Sequence, residues 1–193
     1  MNTTWTHDTY KIKRQVLALT GKIRVYTPDD RLCCYAEQQM FRLREDIRVF
    51  ADEYKQSLLL TIQARQILDF AASYDVQDPV YLQPLGALRR RGFQSMLRDL
   101  WEILDPGGEQ VAVVEEDSGC RAALRRFLLG SLLPQTYFIR LSDGTIAATF
   151  TQRFHLFRYQ MELAFHLDPA RFDRRLGICA AILLAVIEGK QSD

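Results

Sequence analysis

The sequence predicts a β-rich (α+β) protein, a closed antiparallel β-barrel built around one hydrophobic C-terminal helix. Three observations lead there. Leu176 to Ile187 runs without a single polar residue. Most of the chain before it consists of short β-rich runs separated by turn signals, amounting to about ten to twelve strands, which favours a sheet closed or nearly closed on itself. A barrel of more than about eight strands leaves a lumen that strand side chains alone do not fill. A helix about 10 Å across fits such a lumen. The alternative, a β-sandwich with the helix laid on one face, leaves unexplained why that helix has no polar face.

The helix itself is bounded by recognisable signals. Asp168 and Pro169 offer an N-cap and a first-turn proline, and Glu188, Gly189 and Lys190 provide a stop with glycine at the C′ position. A helix apolar all round belongs in a membrane or in a core. A bilayer needs roughly 20 apolar residues, whereas Leu176 to Ile187 covers about 18 Å and is preceded by Arg171, Asp173, Arg174 and Arg175. A core helix is expected, with no spanning segment.

The strands follow in order. Tyr10 to Ala18 alternates, with Tyr10, Ile12, Arg14 and Val16 on one side and Lys11, Lys13, Gln15 and Leu17 on the other. Thr20-Gly21 turns the chain into Lys22–Tyr26, and Pro28-Asp29-Asp30 turns it into a strand from Arg31 to Glu37. Met40 to Phe50 fits either period, and a strand from Asp46 to Ala51 is favoured. Leu58 to Arg65 returns, then Ile67 to Asp75. Pro79 and Pro84 bracket a short piece around Tyr81, and Gly86 to Gln94 carries an arginine group on a strand. Asp99–Leu104 and Gln110–Glu115 form a hairpin across Asp105-Pro106-Gly107-Gly108. Thr136–Leu141 and Thr145–Thr151 form another, with Asp143-Gly144 as a two-residue turn at positive φ. Arg153 to Ala164 supplies the last strand or strands. One amphipathic helix interrupts this pattern: Ser118 caps it, Cys120, Leu124, Phe127, Leu128 and Leu132 recur at helical spacing, and Arg121, Arg125 and Arg126 gather opposite.

Composition narrows the class. With 48% hydrophobic and 25% charged residues the chain has an ordinary globular composition, and its net charge of +1 gives no reason to expect nucleic acid. The length suits one domain spanning 1–193, although two small ones would also fit. Met1 to Tyr10 carries no signal-peptide pattern, so a cytoplasmic location is expected. Cys33, Cys34, Cys120 and Cys179 lack C-x-x-C spacing and are expected to be reduced and mostly buried. Alternation along a strand would point Cys33 and Cys34 to opposite faces, which argues against a mutual disulfide and leaves an exposed one open to lipidation.

The chain resembles the tubby C-terminal-like group, which contains the phospholipid scramblases and the plant LURP-one-related proteins. The likeness covers nearly the whole chain. It rests on the early strand pairs with Lys11-Ile12 and Gly21-Lys22, on Arg91-Gly92-Phe93-Gln94-Ser95 leading to Trp101-Glu102-Ile103-Leu104-Asp105, and on the Asp168 to Gly189 helix. The resemblance implies a barrel of roughly twelve strands around a central C-terminal helix, and a binding module that meets phosphoinositide or other anionic phospholipid. Where scramblases carry an acidic calcium-binding segment, this chain has Arg153, His155 and Arg158 with Glu162 the sole acid between Thr151 and Phe165. No calcium site is carried over.

Chemistry is sparse. His7, His155 and His166 have no metal spacing, and there is no G-x-S-x-G, no glycine-rich phosphate loop and no dinucleotide fingerprint. Glu115, Glu116 and Asp117 would hold a cation or, more simply, favour the positive end of the helix that follows. Asp105, beside Asp99 and Glu102, is explained by its turn. Trp5 and Trp101 read as packing residues. No catalytic residue, metal site or cofactor is expected. Arginine forks suit phosphate, so Arg89 and Arg91 on one strand face, with Arg121, Arg125 and Arg126 on the helix, are the candidate lipid or phosphate-binding residues. The expected role is a non-enzymatic binding or scaffold module, peripheral at the membrane, whose partner is anionic phospholipid or another protein. The alternatives are a scramblase-like membrane-associated protein and a small-ligand-binding barrel using a cleft at one mouth.

Overall fold

A computed structural model describes residues 3–15, 21–38, 46–65, 72–90, 101–117, 135–155 and 158–191. After a short 3-10 turn at Thr3–Trp5, twelve strands follow: β1 (Thr9–Gln15), β2 (Lys22–Tyr26), β3 (Leu32–Gln38), β4 (Asp46–Phe50), β5 (Leu58–Ala64), β6 (Ser73–Asp78), β7 (Gln83–Arg90), β8 (Trp101–Leu104), β9 (Gln110–Glu116), β10 (Thr136–Leu141), β11 (Ile146–His155) and β12 (Arg158–Phe165). Helix α1 (Arg174–Gln191) ends the described chain. Each strand pairs antiparallel with its sequence neighbours, and β1 pairs with β12 to close the barrel. The strand expected from Ile67 is seen from Ser73 to Asp78. The expected amphipathic helix between Ser118 and Leu132 lies outside the described residues.

Alternation puts one face of every strand inside. Across successive pairs the inward residues meet in rows: Met161 opposite Ile12, Ile12 opposite Val25, Val25 opposite Cys34, and Ala36 opposite Val49, which in turn faces Leu60. These side chains are buried, as is α1 from Leu176 to Val186. Each fully buried Leu, Ile or Val is worth about 1.5–3 kcal/mol, so an apolar helix of this kind is held by the sheet around it. The helix packs chiefly against β12, β1 and β7.

The fit is tight at two glycines. A Cβ on Gly177 would stand 2.6 Å from a ring carbon of Phe165, and one on Gly86 would stand 2.1 Å from the carbonyl oxygen of Leu104. Gly86 also has φ at 145°, a backbone region that disfavours side chains. The small residues Ala180, Ala181 and Ala185 of α1 are buried as well. The one charged inward residue of β1 is Arg14, 7% exposed, whose Nη1 donates to the carbonyl of Ala185 at 3.1 Å. A cation in the C-terminal half of a helix meets the favourable end of its dipole.

Two boundary expectations need correction. Asp173, not Asp168, caps α1: its Oδ1 accepts from the Arg175 amide at 2.9 Å, while Asp168 Oδ1 accepts from Ala170 in the turn before the helix. Nor does Gly189 stop the helix, which continues to Gln191. Glycine weakens a helix interior by about 1 kcal/mol and need not end it.

Candidate functional site at one rim of the barrel

Five hairpins turn at the end of the barrel where α1 enters: 27–31, 51–57, 79–82, 105–109 and 142–145. Three of them share one design. Thr27, Asp105 and Leu141 each donate an amide to the residue four positions on, at 2.8–2.9 Å, around a three-residue loop whose last member has positive φ: Asp30 at 58°, Gly108 at 89° and Gly144 at 87°. The 142–144 loop therefore replaces the expected two-residue turn, and Gly144 alone takes positive φ there. Each of the five hairpins also carries a β-bulge beside its turn, leaving Cys33, Leu59, Leu85, Val111 and Ala147 without a cross-strand partner. Bulges bend and twist strands, as barrel closure requires.

The N-terminal segment covers part of this rim. Tyr10 Oη and Cys33 Sγ both donate to the Thr4 carbonyl at 3.0 Å, and Arg174 at the start of α1 donates to Thr6 O at 2.7 Å and to Asp8. The Arg174 guanidinium also stacks over Phe165. Burial raises the Tyr10 hydroxyl well above the usual tyrosine range, with the Cys33 thiol adding to the effect.

Among the described residues, the large apolar side chains that stand exposed are Leu32, Tyr54, Val80, Tyr81 and Leu82. All belong to adjacent turns of this rim. Val80, Tyr81 and Leu82 are 66%, 76% and 88% exposed, and Tyr54 is 87% exposed. Their tip is braced. Asp78 Oδ1 accepts the amides of Val80 at 3.0 Å and Tyr81 at 3.3 Å, and its Oδ2 lies 3.2 Å from Arg175 Nη1 on the helix. Leu82 is held at φ 52°, uncommon for a residue with a side chain. Hence a fixed turn presents three contiguous apolar groups to water, where burying them would have been the stabilising choice.

Charge at this rim is largely matched. Arg24 makes a two-pronged pair with Glu53, Lys11 and Lys13 approach Asp30, Lys55 pairs with Glu37, and Arg171 pairs with Asp143. Lys11 holds the Asp30 carboxyl below its usual range, and Arg24 does the same for Glu53. Beside these pairs an open cleft of about 310 Å³ is lined by Thr4, His7, Thr27, Asp29, Arg31, Leu32 and Cys33. Between Leu88, Trp101, Val114 and α1 lies a gap of about 10 Å³, at the lower limit for one water.

The cysteines depart from expectation. Because Cys33 is the extra residue of its bulge, the two side chains do not alternate, and Cys33 and Cys34 are both buried. Neither is exposed for lipidation. Together with Cys179 they are free thiols. The neighbouring Cys33 thiol and burial push the Cys34 thiol up, burial raises Cys179, and Cys34 in turn lowers Cys33.

Of the arginine candidates, Arg89 is the one that lies among the described residues. Arg89 faces Glu102 across β7 and β8, with Nε and Nη2 both 2.6 Å from its Oε2, so its fork holds a buried carboxylate of this chain. Arg91, Arg121, Arg125 and Arg126 lie outside the described residues. Glu115 accepts from Arg140 at 2.7 Å, and among the described residues no group of three His, Cys, Asp or Glu could hold a metal ion. Asp105 is a turn residue, its Oδ1 accepting the Glu109 amide at 2.9 Å. The apolar tips were not singled out from sequence. The signal available was Val80-Tyr81-Leu82 between Pro79 and Pro84, a run too short to cross the barrel.

These features define a closed, twelve-stranded antiparallel barrel plugged by its own C-terminal helix, with an apolar, charge-matched rim. No described helix is long and apolar enough to cross a membrane. Neither a protein-family model, nor a characterised protein, nor a solved structure matches this chain.

Proposed function

We propose that this protein is a non-enzymatic binding or scaffold module, of the tubby C-terminal-like kind its sequence resembles, that contacts phospholipid at a membrane surface. The observation that carries the reading is the set of exposed apolar tips on adjacent turns of one rim. Tips at one end of a barrel suit a plane, and Tyr with aliphatic neighbours is a favoured composition at a membrane interface. The occupied lumen supports the same reading, because it moves binding to the outside.

The anionic preference rests on Arg121, Arg125 and Arg126, since three cations near an anionic surface add about 1 kcal/mol each. They are distant in sequence from the apolar tips, between β9 and β10, so the two contributions are separable by mutation. A second reading, a small-ligand site, is favoured by the cleft beside Arg31 and His7.

Vesicle flotation tests the proposal with zwitterionic vesicles and with vesicles containing phosphoinositide. Wild type is expected to float with both, and a Val80→Ser, Tyr81→Ser, Leu82→Gly variant to lose both. An Arg121→Ala, Arg125→Ala, Arg126→Ala variant is expected to lose only the extra binding to phosphoinositide. Wild type that remains at the bottom of the gradient with every vesicle would sink the reading.

A further inference from the structure

We infer that the rim cleft beside the β2–β3 turn is a binding site for a small zwitterion that carries a phosphate and a primary ammonium group, of the phosphoethanolamine class. This deepens the small-ligand reading of that cleft, and it does not depend on the apolar tips meeting a membrane. At about 310 Å³ the cleft stands at the lower end of ordinary ligand sites. Its walls bring Asp29 and Arg31 of the turn together with His7 of the N-terminal segment.

The charges around the cleft are engaged within the chain: Lys11 and Lys13 with Asp30, Arg24 with Glu53, Arg171 with Asp143. By contrast, among the described residues nothing hydrogen-bonds or pairs with the side chains of Asp29 and Arg31 or with the His7 ring. Thr27 lines the same cleft and is only 8% exposed. Its Oγ1 accepts the Arg31 amide at 3.2 Å, which leaves the hydroxyl proton without an acceptor among the described residues. A buried donor left unpaired is costly, and an acceptor in the cleft would satisfy it. Both walls are also fixed. The Thr27 amide donates to Arg31 O at 2.9 Å and Lys11 Nζ to Pro28 O at 3.0 Å, while the His7 amide donates to Tyr10 Oη at 3.1 Å. A site preformed in this way loses little freedom on binding.

The free groups sort by charge. The Arg31 guanidinium, the His7 ring and the Thr27 hydroxyl offer hydrogen bonds to a phosphate, to which an arginine fork is matched. Asp29 offers a carboxylate to a cation. A primary ammonium carries the N–H groups that Asp29 can accept, whereas a quaternary ammonium is recognised by an aromatic cage, and among the described residues no Phe, Tyr or Trp lines the cleft. The same pair of groups occurs in free phosphoethanolamine and in the head group of a phospholipid.

The test is titration of the full chain with phosphoethanolamine, inorganic phosphate and ethanolamine, followed by calorimetry or by NMR. Phosphoethanolamine is expected to bind tightest, by at least about tenfold over either fragment. Arg31→Gln should weaken phosphoethanolamine and phosphate alike by about tenfold or more, whereas Asp29→Asn should weaken phosphoethanolamine and leave phosphate unweakened. Both variants should keep the thermal midpoint of wild type, since neither side chain holds another group of the chain. The Val80→Ser, Tyr81→Ser, Leu82→Gly variant should bind free phosphoethanolamine as wild type does, so failure of vesicle flotation and failure of this site are told apart. In flotation, a preference for phosphatidylethanolamine over phosphatidylcholine vesicles that Asp29→Asn removes supports the site with a lipid head group as its ligand; binding of the free compound with no such preference supports it with a soluble one. No binding at millimolar phosphoethanolamine, equal affinity for phosphate alone, or an Arg31→Gln variant that binds as wild type does would overturn the inference.

Discussion

Within the few residues that join β6 to β7, the chain passes from lumen to rim, and its apolar side chains change role. Val76 is fully buried opposite Gly86, which meets Leu176 of the helix, whereas Val80, Tyr81 and Leu82 stand in solvent on a turn fastened by Asp78. In the lumen, burial follows from strand alternation and from a helix with no polar face. At the rim, position follows from turn geometry: a carboxylate bonded to two amides and a residue held at positive φ. Apolar side chains inside therefore report stability, and those outside contribute little to it. Substitutions in the two regions should separate these roles.

The largest effect belongs to the lumen. Leu183→Asp or Ala181→Asp puts a carboxylate where no water or partner can reach it, a cost of many kcal/mol if ionised, and soluble protein with a cooperative thermal transition is not expected from either. Gly86→Ala should cost about 3 kcal/mol, since its Cβ meets backbone and not a movable side chain. Gly177→Val should cost about 2 kcal/mol through Phe165. Denaturant midpoints check both, and a change within error at Gly177 would mean the helix is not seated against β12.

Smaller effects mark the way out of the lumen. Asp173→Ala removes the N-cap and should cost about 1 kcal/mol, with Asp168→Ala costing less. Glu53→Gln should cost under about 1 kcal/mol, because the pair with Arg24 is partly exposed. Its pH dependence has a definite sign. Arg24 depresses the Glu53 carboxyl, so the pair stabilises above the ordinary glutamate range, and the gain is lost as pH falls through the depressed value. Wild type and Glu53→Gln should converge in stability in acid. Smallest of all, the Val80→Ser, Tyr81→Ser, Leu82→Gly variant should unfold within about 0.5 kcal/mol of wild type while losing vesicle binding. A large loss of stability there would show that the tip is structural.

The lumen and the positions of two rim turns were the legible part. The apolar run from Leu176, the hairpin signals at Pro28-Asp29-Asp30 and Asp105-Pro106-Gly107-Gly108, and the alternation of β1 each follow from short-range rules, and the barrel follows from their sum. The finer geometry of the rim was not, because it is set by closure. Strand alternation puts Cys33 and Cys34 on opposite faces, and the bulge at Cys33 leaves both buried. Asp168 before Pro169 reads as the cap in sequence, yet it closes the preceding turn while Asp173 accepts the Arg175 amide. Arg89 reads as a phosphate fork until β8 places Glu102 opposite it.

Amide hydrogen exchange of Leu176 to Val186, with and without vesicles, tests the enclosed helix most directly. The account predicts that these amides exchange only through global unfolding, sharing its denaturant dependence, and that vesicles leave them unchanged while altering residues 79–82. Exchange of the helix through a smaller opening, or a change in its protection on vesicle binding, would contradict a sealed barrel that works at its rim.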